Sequence, residues 1–126
     1  MSTNIHPTAL VDSKAEIDEG VSIGPFAIIE ANVKIGKNCS IGPHAHIAWG
    51  AHLAAEVKVH TGAVLATVPQ DLKFENEETT LEVGERTVIR EYATLNRGTH
   101  DRWKTTVGSD CLIMAYAHVA HDNELG

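Results

Sequence analysis

The chain has 126 residues, of which 43% are hydrophobic and 21% are charged, and its formal net charge at pH 7 is −7. This length fits one domain, and the apolar content excludes a disordered chain. The acidic balance argues against a nucleic-acid-binding protein, because such proteins need clustered Lys and Arg residues.

The sequence shows neither a secretory signal nor a membrane span. Met1–Gly20 lacks a charged segment followed by an apolar core, and no apolar run reaches the roughly 18 residues of a membrane-spanning helix. We therefore expect a cytoplasmic protein with no membrane insertion. Cys39 and Cys111 are too few for a disulfide framework, and we expect both to be buried, reduced thiols.

A six-residue repeat begins at Ile5 and continues to Leu125. Stepping through it gives 21 positions, of which 18 are occupied by Ile, Val or Leu. A small or slim residue stands four positions after most of these aliphatic residues, as in Ala27, Ala45 and Ala63. A period of six fits neither an α-helix nor a coiled coil, whereas it is typical of a hexapeptide β-helix.

We therefore predict an all-β fold: a left-handed parallel β-helix of hexapeptide repeats, forming one domain over residues 1–126. Three hexads make one triangular coil of about 18 residues, and each aliphatic residue points inward and stacks on its equivalent one coil away. The slim residue fits a crowded corner, and Gly or Asn is expected where a corner needs positive φ. A β-sandwich is disfavoured because its strands alternate with a period of two.

The repeat fails at Asp71, Glu77 and Asp101. An inward carboxylate at these positions would be buried without a partner, which is costly. We therefore predict that the chain leaves the coil in two excursions, near 66–80 and near 98–106. Loops on a rigid scaffold often carry binding residues, although a tolerated insertion would give the same pattern.

The first excursion contains a hydrogen-bond acceptor, a carboxylate and an ammonium group within four residues. These are Gln70, Asp71 and Lys73. Such a group of side chains can bind sugar hydroxyls and a phosphate. We therefore take these three residues as candidate substrate-binding residues.

A second group of polar residues surrounds Val119, which is an inward position of the repeat. His118 precedes it by one residue and His121 follows it by two, so both imidazoles are expected to face outward. With Asp122 beside it, His121 suits a general base with an orienting carboxylate. The alternative is that these are ordinary surface histidines, as we assign the other six to be.

Three motifs follow one another along the hexads: QDLKF at 70–74, NRGT at 96–99 and AHVAHD at 117–122. Together they resemble the acyl-[acyl carrier protein]–UDP-N-acetylglucosamine O-acyltransferase family, over essentially the whole chain. The resemblance implies a homotrimer with active sites between subunits and with no metal or cofactor. Its reaction would transfer an (R)-3-hydroxyacyl group from acyl carrier protein to the sugar 3-hydroxyl, the first step of lipid A synthesis.

The resemblance also implies roles for individual residues. His121 would be the general base that deprotonates the sugar hydroxyl, and Asp122 would orient it. The substrate-binding residues would be Gln70, Asp71, Lys73 and His118. A basic patch for the acidic carrier protein would come from Arg86, Arg90, Arg97, Arg102 and Lys104.

Two features depart from this family. Asn96 stands where the family commonly has His, which leaves an N-acyltransferase acting on a 3-amino UDP-sugar as an alternative. Family members continue into further coils and a helical domain, so we expect a truncated chain without that C-terminal helical domain. The oxyanion-hole donor lies in the missing part, and losing one such donor costs about 10²–10³ in rate. We therefore expect little or no turnover from the chain alone.

Two other functions fit a hexapeptide β-helix. A trimeric zinc lyase of the γ-carbonic anhydrase kind needs three placed ligands, and the pair His118 and His121 is more closely spaced than the pair in that enzyme. A non-catalytic scaffold or trimerisation module fits the abrupt ending. Substrate binding without turnover would favour a fragment of an acyltransferase, whereas no binding at all would favour the scaffold.

Overall fold

Three parallel β-sheets surround one core in the computed structural model, which describes residues 3–67, 80–96, 104–119 and 124–125. Successive strands belong to sheets A, B and C in turn, so each coil contributes one strand to each face of a triangular prism. The fold is the left-handed parallel β-helix that the repeat predicts. Within these ranges the chain forms no helix that could cross a membrane.

The strands are short, and most contain two residues, one inward and one outward. Sheet A contains β1 (Asn4–Ile5), β4 (Ser22–Ile23), β7 (Ser40–Ile41), β10 (Lys58–Val59), β13 (Val88–Ile89) and β16 (Leu112–Ile113). Sheet B contains β2 (Leu10–Val11), β5 (Ile28–Ile29), β8 (His46–Ile47), β11 (Val64–Thr67), β14 (Thr94–Asn96) and β17 (His118–Val119). Sheet C contains β3 (Glu16–Ile17), β6 (Lys34–Ile35), β9 (Ala51–Leu53), β12 (Thr80–Val83), β15 (Lys104–Val107) and β18 (Glu124–Leu125).

The core is built from the aliphatic residues of the six-residue repeat, as predicted. From the second coil onwards these side chains are buried: Ile23, Ile29, Ile35, Ile41, Ile47, Leu53, Val59, Leu65, Val83, Ile89, Leu95, Val107, Ile113 and Val119. The slim residues fill the corners, and Ala27, Ala45, Ala63 and Ala93 are fully buried there. Each aliphatic residue therefore packs on its equivalents in the coils before and after it.

Two of the corner positions for small residues hold Cys39 and Thr87, and the thiol and the hydroxyl each form hydrogen bonds with nearby backbone groups. Cys39 is buried, its Sγ donates to the Ala54 carbonyl oxygen at 3.0 Å, and desolvation raises the pKa of its thiol. The Thr87 hydroxyl donates to the Gly108 carbonyl oxygen and accepts from the Cys111 amide. Cys111 is only half-buried, which differs from the expectation that both thiols are buried.

The corners reach positive φ three residues after an inward aliphatic residue, and most of these positions are neither Gly nor Asn. Phe26 has φ of 60°, Glu56 of 59° and Tyr92 of 58°. The left-handed region costs a non-glycine residue roughly 1–2 kcal/mol. An added hydrogen bond offsets this cost, because the Glu56 amide donates to the Lys37 carbonyl of the preceding coil at 2.8 Å.

Glycine is needed at a different place, directly after the aliphatic residue. A Cβ on Gly84 would lie 2.5 Å from the Ser109 amide nitrogen, and one on Gly36 would lie 2.7 Å from the Ala54 carbonyl carbon. Both glycines have ordinary negative φ, so the requirement is for close approach of the next coil. The expectation that Gly serves positive φ at the corners was therefore only partly correct.

Strand register shows where the coil is interrupted. Equivalent residues are 18 apart in regular coils, as in Ile5 and Ile23. Leu53 instead pairs with Val83, 30 residues later, and Val83 pairs with Val107, 24 residues later. Two coils therefore contain 12 and 6 additional residues. The strands extend further into the predicted excursions than expected, because Thr80 begins β12 and Lys104 begins β15.

Candidate functional site

The corner between sheets B and C, which we call the B–C corner, carries three connections on successive coils that contain residues predicted to form the site or its excursions. They comprise residues 68–79 between β11 and β12, residues 97–103 between β14 and β15, and residues 120–123 between β17 and β18. Strands β11, β14 and β17 are hydrogen-bonded neighbours in sheet B. The starting points of the three connections are therefore only about 4.8 Å apart from one coil to the next.

Five of the six predicted site residues belong to these connections and lie outside the described residues. They are Gln70, Asp71, Lys73, His121 and Asp122. The strands that precede them nevertheless form one continuous edge of sheet B. Residues that are 50 positions apart in sequence, such as Gln70 and Ala120, thus belong to connections at the same corner.

His118 is the sixth predicted residue, and it lies at the outer surface of sheet B. It occupies β17 beside the buried Val119, and its side chain is exposed. Its Nδ1 atom lies 2.8 Å from the Thr94 hydroxyl of the preceding coil, which is a hydrogen-bonding distance. The predicted outward orientation of His118 is therefore confirmed, and Thr94 is a contact that the sequence did not reveal.

Asn96 ends β14 and is 2% exposed. It pairs with Thr67, and the register between β11 and β14 shifts between Leu65 and Thr67. The intervening Ala66 has φ of 64°. Such a bulge re-aims the chain as it leaves a sheet and is common next to functional sites. The polar side chain of Asn96 thus lies at the base of both inserted segments.

Two histidine–carboxylate pairs lie beside the B–C corner, one on the side of sheet B and one on the side of sheet C. His46 Nε2 is 2.5 Å from Glu30 Oε2, and His52 Nδ1 is 2.7 Å from Glu82 Oε2. Both imidazoles keep part of their surface exposed, as assigned from sequence, but the sequence did not reveal their carboxylate partners. The His52–Glu82 contact spans the first insertion, so the regular 18-residue spacing could not reveal it.

Two of the five residues predicted for the basic patch, Arg86 and Arg90, lie at different corners. Arg86 lies at the corner between sheets C and A, where its guanidinium contacts the Asp110 carboxylate at 2.8 and 3.0 Å. Arg90 lies at the corner between sheets A and B and contacts Glu91 at 2.9 Å. Two of the five proposed cations are therefore separated and paired within the chain. Lys104 is exposed on β15, and the remaining two, Arg97 and Arg102, lie outside the described residues.

The Arg86–Asp110 pair makes a testable electrostatic prediction. Its hydrogen bonds lower the pKa of Asp110 and raise that of Arg86. Arg86→Gln is expected to return the Asp110 pKa towards the ordinary range, as measured by NMR titration of the carboxyl carbon. Because the folded pKa is depressed, the pair's small stabilisation is present at neutral pH and is lost as pH falls through that pKa.

Arg90→Gln is the matched control for that titration. Arg90 lowers the pKa of Glu91 and has no contact with Asp110, so its loss should shift Glu91 and leave Asp110 unchanged. An Asp110 carboxyl that titrates identically in wild type and Arg86→Gln would show that the pair is absent in solution.

In the part of the chain that the structure describes, no group of three or more His, Cys, Asp or Glu side chains forms a metal site.

Two family models describe the repeat. The bacterial transferase hexapeptide model of six repeats matches residues 3–48, and the hexapeptide repeat of succinyl-transferase matches residues 32–66. The chain belongs to the hexapeptide-repeat family. Within this family, the chain is 62% identical over 120 residues to the acyl-[acyl-carrier-protein]–UDP-N-acetylglucosamine O-acyltransferase of Chlorobaculum parvum. That alignment covers 95% of the chain and 46% of the relative.

Solved structures of UDP-N-acetylglucosamine acyltransferases from other bacteria are also similar to this chain. The UDP-N-acetylglucosamine O-acyltransferase of Moraxella catarrhalis superposes with a TM-score of 0.94 at 37% identity, over 97% of this chain and 48% of that one. The enzyme of Bacteroides fragilis superposes with a TM-score of 0.92 at 44% identity, over 94% and 46%. The chain thus matches the amino-terminal part of these enzymes and spans about half the length of the relatives it matches.

Proposed function

We propose that this chain provides the amino-terminal half of an acyltransferase that moves an (R)-3-hydroxyacyl group from acyl carrier protein to the 3-hydroxyl of UDP-N-acetylglucosamine. The observation that carries the proposal is the B–C corner, where three connections, two of which contain candidate site residues, start from neighbouring strands of sheet B. The similarity to enzymes named for this reaction supports the substrate assignment. By the same resemblance, the reaction would open lipid A synthesis in the cytoplasm.

The chemistry needs a base, a bound sugar and a bound thioester. His121 removes the proton from the sugar hydroxyl, and Asp122 stabilises the resulting imidazolium. The sugar oxygen bonds to the thioester carbonyl carbon, and the carbon–sulfur bond breaks. The imidazolium then returns the proton to the departing thiolate of the carrier. A general base positioned in this way contributes about 10²–10⁴ in rate.

The segment 68–79 would bind the acceptor sugar in this scheme. The Asp71 carboxylate accepts hydrogen bonds from sugar hydroxyls, the Gln70 amide accepts or donates them, and the Lys73 ammonium interacts with the diphosphate. We also propose a homotrimer, as the resemblance implies. Leu112 and Tyr116 in the last described coils are more than half exposed, and a neighbouring subunit would cover such apolar surface.

A second acceptor chemistry is favoured by Asn96. Its buried amide lies at the base of both inserted segments, in place of the imidazole that is common in the family. An amide donates and accepts hydrogen bonds without titrating near neutral pH. A 3-amino sugar would then be acylated to an amide by the same thioester attack, so both acceptors belong in one assay.

The test is an acyl-transfer assay on this chain and on a fusion. The fusion joins all 126 residues, in register, to the part of the Chlorobaculum parvum relative beyond the aligned region. Each protein is incubated with 3-hydroxyacyl carrier protein and either UDP-N-acetylglucosamine or its 3-amino analogue, and products are read by mass spectrometry. We expect the fusion to acylate one of the two acceptors. A folded fusion that acylates neither would contradict the proposal.

A further inference from the structure

Thr94 lies against the one candidate site residue that the structure describes. Strands β14 and β17 pair in parallel, with Thr94 opposite His118 and Leu95 opposite Val119. Since Leu95 and Val119 are buried in the core, Thr94 and His118 both project outward from sheet B. The Thr94 hydroxyl oxygen is 2.8 Å from His118 Nδ1. Among the residues that the structure describes, no other hydrogen bond to the His118 ring is present.

The position of the hydroxyl is fixed by its surroundings. Thr is β-branched, so its side chain has few rotamers on a strand, and the backbone of β14 is held between β11 and β17. The neighbour of Thr94 in β11 is Val64, which has no polar side-chain atom. Among the described residues, His118 Nδ1 is therefore the side-chain partner that the hydroxyl can reach.

The direction of this hydrogen bond depends on which tautomer the imidazole adopts. A hydroxyl carries one hydrogen, and an unprotonated ring nitrogen is an acceptor. When the Thr94 hydroxyl is the donor, Nδ1 must carry a lone pair. The proton of a neutral imidazole is then on Nε2, because each neutral tautomer carries only one.

We propose that Thr94 holds His118 in the Nε2–H tautomer, so that His118 donates a hydrogen bond to a substrate oxygen and does not act as a base. This deepens the proposed function and rests on it only for the nature of that oxygen, a hydroxyl, carbonyl or phosphate oxygen of the acyl donor or sugar nucleotide. Thr94 is a positioning residue, and the two histidines of the HVAH motif have opposite tasks: His121 accepts a proton and His118 donates a hydrogen bond.

The tautomer can be measured on the chain itself, without turnover. In the chain labelled with ¹⁵N-histidine, two-bond and three-bond ¹H–¹⁵N correlations report which nitrogen is protonated, and the spectrum of His118→Gln assigns the ring. At a pH where the ring is neutral, we expect an unprotonated Nδ1 and a protonated Nε2. Thr94→Val keeps the side-chain shape and strand preference but removes the hydroxyl, and should give a mixture of tautomers.

Two further variants make this experiment specific. Thr94→Ser restores the hydroxyl and should restore the single tautomer. Thr106→Val removes an outward hydroxyl from sheet C and should leave the His118 ring unchanged. Circular dichroism checks that every variant keeps the β-helix. A protonated Nδ1 in the wild type, or a tautomer that is identical in Thr94→Val, would overturn the proposal.

The fusion protein tests the consequence for substrate. His118→Gln keeps an N–H donor near the Nε2 position but has no basicity, whereas His118→Ala keeps neither. We expect His118→Gln to retain clearly more kcat/KM than His118→Ala, with the pH profile of the wild type. Thr94→Val should lower kcat/KM about five-fold, which corresponds to one neutral hydrogen bond.

Each outcome bears on one proposal alone. If His118→Gln is as inactive as His118→Ala, the donor role is wrong, even when the fusion is otherwise active. If the fusion is inert while the ring shows the expected tautomer and its dependence on Thr94, the proposed acyl transfer fails and the positioning by Thr94 stands.

Discussion

Replacing His121 by Ala in the fusion protein is expected to lower kcat by about 10²–10⁴, because the variant removes the general base from the sugar hydroxyl. KM for the UDP-sugar should change little, since the imidazole acts mainly on the proton transferred in the transition state. The measurement is initial rate against UDP-sugar concentration, at saturating acyl carrier protein.

The matched control for this experiment is His44→Ala. His44 lies at the corner between sheets A and B, where its ring stacks on Phe26 with 5.2 Å between centroids. It is therefore remote from the B–C corner, and its loss should leave kcat within about two-fold of wild type. Equal losses in the two variants would argue against His121 as the base and in favour of a general effect on the fold.

Ile47→Ala is expected to reduce the free energy of unfolding by about 2–5 kcal/mol, because it leaves a cavity in the stack of aliphatic residues. Ile47 is fully buried, and its register partners are Ile29 in the preceding coil and Leu65 in the following one. Urea unfolding followed by circular dichroism measures the change. The same substitution at Ile28, which is 38% exposed on the outer surface of sheet B, is the control.

Ile28→Ala removes the same atoms and should cost about 1 kcal/mol or less, since much of that side chain already contacts water. The comparison separates the inward from the outward residue of a two-residue strand. Equal shifts of the urea midpoint in both variants would contradict the assignment of Ile47 to the core. They would also call into question the phase of the whole six-residue repeat.

The core was predictable from sequence because the inward position recurs at a fixed spacing and accepts only branched aliphatic residues. Ile47 and Leu65 follow directly from that rule. The corners were less predictable, since Phe26 and Tyr92 adopt positive φ where Gly or Asn was expected. At these corners the amide donates a hydrogen bond to the preceding coil, from Phe26 to the Thr8 hydroxyl and from Tyr92 to the Thr61 carbonyl, and this bond stabilises the conformation.

Contacts between coils were the main feature that sequence reasoning missed. The Thr94–His118 and His52–Glu82 contacts join residues that are adjacent in a sheet but 24 and 30 residues apart in sequence. Those distances depend on the lengths of the two insertions, which the regular 18-residue coil does not specify. For a related reason, the sequence did not show that Arg86 and Arg90 of the predicted basic patch lie at different corners of the prism, because neighbouring hexads occupy different faces.

The insertions of 12 and 6 residues are whole multiples of the hexad. Excising 68–79 would bring Leu65 and Val83 six positions apart, and excising 98–103 would do the same for Leu95 and Val107. The pattern of inward and outward positions therefore keeps the same phase before and after both insertions. Adding, removing or replacing a segment of this kind at the B–C corner would therefore leave every inward aliphatic residue in place. The chemistry of the corner could then change without a change in the core.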